Sequence, residues 1–123
     1  MKRYASVRLF LAAVLVVCVV PLLNAQRDYA HARQLVSQAT DDLRKIRHLD
    51  SLSGKERERY DAALKHLSEF DQDLSKSIYD GGKLGDAIDD IDNVCKNNAI
   101  APEDRDVLQA DMRALRDLRS DWK

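Results

Sequence analysis

The residues best suited by type and spacing to do chemistry lie between Lys83 and Asp92, where Asp86, Asp89, Asp90 and Asp92 place four carboxylates in ten residues. Such a density could wrap a hard cation or attract a basic partner. The EF-hand pattern is not met. Counted from Asp80, the chain has Gly82 and Leu84 where oxygen ligands are required and Ile91 where a bidentate Glu is required, so only Gly85 fits. Spaced at helical intervals, Asp86, Asp89, Asp90 and Asn93 fall opposite an apolar side made of Leu84, Ala87, Ile88, Ile91, Val94 and Cys95. A solvated helix face is the expectation, with attraction of a cation or a basic partner as the alternative.

Three histidines are the other candidates for metal or acid-base work. His31 has Asp28 three residues before it and His66 has Glu69 three after it, whereas His48 has no such partner on its N-terminal side. No two histidines share the three- or four-residue spacing that brings ligands together on a helix, and no Glu-x-x-His of the di-iron bundles is present. No metal site and no cofactor are expected. The chain also lacks Cys-x-x-Cys, Cys-x-x-Cys-His, a Gly-x-Ser-x-Gly elbow and a phosphate-cradling glycine loop. Enzyme chemistry is therefore not expected. A pocket gathering His66, Glu69 and a third polar group would reopen it.

The first 25 residues differ in kind from the rest. Lys2, Arg3 and Arg8 open the chain, an apolar run from Leu9 to Leu23 is broken only by Pro21, and Ala25 stands before Gln26. Basic start, short apolar run and small residue are the parts of a secretory signal peptide, and the run is shorter than the roughly 20 residues that span a bilayer. Cleavage is expected between Ala25 and Gln26, with a retained N-terminal anchor as the alternative. Acylation at Cys18 is disfavoured, because bulky Val17 precedes it. Export to the cell exterior follows, and to the periplasm if the source is a diderm bacterium.

Removing that leader takes three basic residues and no acid, leaving 17 basic against 21 acidic residues and a net charge of about −4. This balance argues against nucleic acid as a partner. One cysteine is left, Cys95, on the apolar side of its segment. A single thiol cannot staple an exported domain internally, so stability must come from packing or from a bridge to another chain.

The elements that must position these groups are all helical. Tyr29, Ala32, Val36, Ala39, Leu43 and Ile46 alternate steps of three and four, predicting a first helix from Arg27 to Leu49, with Asp41 and Lys45 paired on its polar side. Ser53 and Glu56 form a capping box that starts a second helix near Gly54, whose stripe is Tyr60, Ala63, Leu67, Phe70, Leu74 and Ile78. The Asp-Gly-Gly-Lys stretch at 80–83 is expected to stop it. A shorter third helix runs from Lys83 to Asn97. Pro102 opens a fourth, followed by Glu103 and Asp104 and a stripe of Val107, Leu108, Met112, Leu115, Leu118 and Trp122.

Short links make successive helices antiparallel neighbours, so residues 26–123 are expected to form a single all-α domain, an up-and-down bundle of four helices. The short third helix should leave part of a longer helix uncovered, a candidate partner site. Arg105, Arg116 and Arg119 flank the fourth stripe and, with Asp86, Asp89 and Asp90, form the expected partner surface.

Two resemblances bear on role. Leu74, Ser75, Ile78, Gly82, Ala87, Ile91 and Val94 resemble one degenerate tetratricopeptide repeat, with Ala99 in place of the signature proline, which implies a helical interaction module. The segment from Ile100 to Arg119 is similar to helix starts in the periplasmic Spy/CpxP group of helical chaperones and metal-stress proteins, although that group's Leu-Thr-x-x-Gln box is absent. This second resemblance implies partner binding along helices. The combined expectation is an exported non-enzymatic protein that binds a protein partner or itself and meets the membrane only through its leader.

Overall fold

The computed structural model describes residues 27–49 and 52–122; the expected leader and its cut between Ala25 and Gln26 lie outside them. Four helices make up the described chain: α1 (Tyr29–Leu49), α2 (Gly54–Ser75), α3 (Gly81–Asn97) and α4 (Pro102–Asp121), and no strand occurs among the described residues. Each helix packs on its neighbours in sequence, and α4 closes the ring onto α1. This is the all-α antiparallel bundle that short links dictate.

Amphipathic stripes build the core. Ala32, Val36, Ala39, Leu43 and Ile46 of α1 are buried, as are Tyr60, Ala63, Leu67, Phe70 and Leu74 of α2. All six apolar residues expected of α3 are buried too, Cys95 among them, and α4 contributes Leu108, Met112, Leu115 and Leu118, with Trp122 just past its end. Burying so many apolar side chains on one axis is the main force holding helices that would be marginal alone.

Local chemistry sets the helix starts. Asp28 Oδ1 accepts from the His31 N–H at 2.9 Å, so α1 begins at Tyr29, two residues later than expected. The capping box of α2 is present: Ser53 Oγ accepts from the Glu56 N–H and Glu56 Oε1 from the Ser53 N–H, both at 3.3 Å. Asp80 caps α3 by accepting from the Lys83 N–H at 3.1 Å. Pro102 stands in the first turn of α4, where its missing N–H costs nothing.

Four expectations are corrected. The glycines at 81 and 82 do not stop α2; they sit inside the first turn of α3 behind Asp80, and α2 ends at Ser75. The left-handed residue that ends α2 is Ser77, with φ of 58°. Its N–H donates to the Leu74 carbonyl at 2.9 Å and the Ile78 N–H to the Asp73 carbonyl at 2.9 Å, the paired bonds of a Schellman stop. Ile78 therefore leaves the helix before its stripe position and is 50% exposed. Val107 is likewise not in the core, at 41% exposure, because its neighbour Leu108 takes the inward direction. The expected uncovered strip is not found among the described residues either: apart from Ile78, Val107 and half-buried Tyr29 the stripes of the three long helices are buried, and the exposed large apolar side chains there are Leu49, Ile78 and Val107, on separate elements.

Candidate functional site

The four clustered carboxylates of α3 diverge. Asp86 and Asp89 are exposed and make no ion pair within the described chain. Asp92 pairs with Lys96 one turn on, at 2.8 Å. Asp90 departs from the expected free face: its Oδ2 bonds His66 Nδ1 across the α2–α3 seam. An element flanked by two helices has its polar arc narrowed at both margins, and Asp90 stands at the margin nearest α2. Glu69 does not join this pair; its charge acts on Lys83 instead. Among the described residues, no three His, Cys, Asp or Glu side chains gather in a way that could hold a metal ion.

Lys83 is tied back to α2 by a 2.8 Å contact from its Nζ to Asp73 Oδ2, and this bond holds its ammonium pKa above the usual value. Across the α3–α4 seam, Arg105 Nε donates to the Cys95 carbonyl at 3.2 Å. Arg119 lies over Gly85, where an added Cβ would stand 3.8 Å from the guanidinium. These two contacts set α4 antiparallel along α3, so exposed Arg116 falls near the level of exposed Asp89. Of the six residues expected to form one partner surface, then, Asp86, Asp89 and Arg116 are free of ion pairs, Asp90 and Arg105 serve the bundle itself, and Arg119 packs against α3. Cys95 is buried beneath this seam, and burial raises its thiol pKa, with Asp92 adding to the rise and Arg105 opposing it. Such a thiol is a core atom, not a nucleophile.

The α1–α4 seam holds a pair that the apolar pattern alone does not announce. Asp111 is only 9% exposed, and Asp42 on α1 is the side chain that acts on its carboxyl across the seam. Burial first, and then Asp42, push the Asp111 pKa up to about 8. Two facing carboxyls can bond only when one of them carries a proton. A signal for this pair was present in the sequence: Asp111 stands three residues after Leu108 and four before Leu115, which is a core position.

The two ends of the bundle are polar or aromatic clamps. At one, Arg27 lies over the rings of Tyr79 and Trp122, at 5.3 and 5.4 Å from their centroids, and its Nη2 donates to the Trp122 carbonyl at 3.0 Å. Trp122 stands edge-on to Tyr29 and Tyr79. At the other end, buried Asn98 accepts from Arg59 Nη1 at 2.9 Å and donates to the Glu56 carbonyl at 3.1 Å.

Two surface hollows complete the picture. An open groove of about 560 Å³ runs between α1 and α2, with Val36, Leu64 and Leu67 in its lining and the Arg33–Asp71 ion pair across it. A smaller hollow of about 380 Å³ between α1 and α4 is lined by Asp28, His31, Asp117 and Asp121 around Leu35 and Ala114. Among the described residues, no helix is long and apolar enough to cross a membrane.

Compared with known protein families, with characterised proteins and with solved structures, the chain matches none.

Proposed function

We propose that this is an exported, non-enzymatic helical protein that works by presenting a charged helix face to a protein partner or to a second copy of itself. One observation carries the reading. Asp86 and Asp89 on α3 and Arg116 on α4 are exposed and unpaired on adjacent helices, while Asp71, Asp73 and Asp92 each find a cation within the bundle. Side chains of both signs on one face favour a partner with a complementary pattern, and set orientation and encounter rate more than raw affinity. The leader expected at residues 1–25 supports an envelope or extracellular setting.

The test is capture from the native envelope fraction with the chain from Gln26 onward, in parallel with a variant carrying Asp86→Lys, Asp89→Lys and Arg116→Glu. Partners held by the unaltered chain and lost by the variant support the reading. Equal capture by both, with no self-association of either in sedimentation, overturns it.

A second reading, holding of unfolded clients, is favoured by the α1–α2 groove, whose apolar lining beneath Arg33, Arg44, Asp41 and Asp71 suits an extended peptide. Suppression of aggregation of a model client, lost on Leu64→Asp, supports it; inactivity at molar excess counts against it.

A further inference from the structure

We propose that the α1–α4 seam is a proton-operated latch, in which one proton shared between the carboxyls of Asp42 and Asp111 joins the two helices and its departure loosens them. The argument begins with geometry. Asp111 Oδ2 is shut off from solvent and has no hydrogen-bond partner among the described residues. Leaving a buried oxygen in that state is costly, and far more so if it carries charge. Asp42, the side chain that acts on Asp111 across the seam, could satisfy it only through a proton on one of the two. Gln38 Nε2 donates to Asp42 Oδ2 at 3.3 Å, which fixes the Asp42 carboxyl and leaves its other oxygen for the seam.

Among the described residues the surroundings offer no competing cation. On α1 the nearest turns bring neutral Gln38 and exposed Lys45, and among the described residues Asp42 is the charged group that acts on Asp111. Along the seam toward the α1 N-terminus, the hollow adds Asp28, His31, Asp117 and Asp121, three of them acids. The residues that α2 and α3 turn toward the core are apolar, including Leu67, Ile91 and Val94. With Asp111 shut off from water and no cation opposite it, a shared proton is what relieves the repulsion of this pair, as in other like-charged carboxyl pairs.

The sign follows from proton counting. The folded chain holds a proton that the unfolded chain releases near the ordinary value of 3.8 and the folded chain only near 8. The stabilisation is complete below the lower value, declines as pH rises between the two, and is gone above the upper one. Through that window the folding constant falls by up to about tenfold per pH unit. An exported protein meets external pH without a cytoplasmic buffer, so the latch would report it.

The experiment compares the unaltered chain with Asp111→Asn, whose amide keeps the shape and can donate to Asp42 without a titrating proton. Urea denaturation and native-state amide exchange are followed from pH 5 to 9. The expected result is a decline in the folding constant with pH that the variant lacks, and exchange in α1 and α4 that accelerates beyond the intrinsic rate only in the unaltered chain. Identical pH profiles overturn the proposal. Should the variant fail to fold, carboxyl ¹³C titration of the unaltered chain decides. A midpoint for Asp111 above about 6 sustains the latch, and one near the ordinary carboxyl value overturns it.

Discussion

Asn98 Nδ2 donates to the main-chain carbonyl of Glu56 at 3.1 Å, joining the end of α3 to the first turn of α2 across 42 residues of sequence. The same side chain accepts from Arg59, and the neighbouring Ala99 N–H donates to Glu56 Oε2 at 3.0 Å. The α3–α4 link is thereby fastened to the capping box of α2. Asn98 is buried, so replacing it by Ala removes two bonds and strands polar groups. We expect Asn98→Ala to lower stability by about 1–3 kcal/mol. A urea midpoint unchanged from the parent would show that water replaces these bonds without loss.

Glu56 belongs to the same fastening and gives it a pH dependence. The Ala99 N–H first, then the Ser53 backbone and hydroxyl, bond its carboxylate and hold its pKa below the usual 4.5. A depressed carboxyl stabilises the fold above its unfolded value and loses that contribution as pH falls through the folded one. Acid titration of Glu56→Gln should therefore show a shallower fall in stability below about pH 4.5 than the parent, with the two curves parallel above it. Parallel curves throughout would mean that solvent screens the interaction entirely.

Ser77 is the one described non-glycine residue in the left-handed region, with φ of 58°. A side chain there is crowded by the carbonyl that follows, at about 1–2 kcal/mol, while glycine bears no such penalty. Because glycine also gives up more freedom on folding, Ser77→Gly should raise stability by a net of about 0.5–1 kcal/mol. Thermal melting reads this directly, as a rise in Tm.

How much of this was legible beforehand depended on period. Steps of three and four marked every buried stripe, and Ser53 with Glu56 and Pro102 marked two helix starts, since each acts through its own helix. What failed was the stop of α2. Paired glycines suit a helix end in general, but Asp80 ahead of them caps a start, and Ser77 took the left-handed position without looking like a terminator. The site was less legible. Asp90 reads as solvated from its own helix, and only α2 brings His66 to it. Asp111 shares the register of Leu108 and Leu115 but was passed over as an acid between apolar residues, and Asp42 stands 69 residues away on a helix whose rotation no local pattern fixes.

The same difference between pattern and placement separates two isoleucines. Ile78 and Ile91 both fit an apolar stripe by count, but the Schellman stop turns Ile78 to solvent, at 50% exposure, while Ile91 of α3 is fully buried. Removing a buried Ile side chain forfeits its transfer from water and leaves a cavity that a bundle closed on all sides fills poorly. Ile91→Ala should therefore cost about 2–5 kcal/mol. At Ile78 half of the side chain already meets water and no cavity can form, so Ile78→Ala should cost under about 1 kcal/mol. Denaturation of the two variants side by side checks the end of α2 as well as the core. Comparable losses at both positions would place Ile78 inside the bundle and extend α2 beyond Ser75.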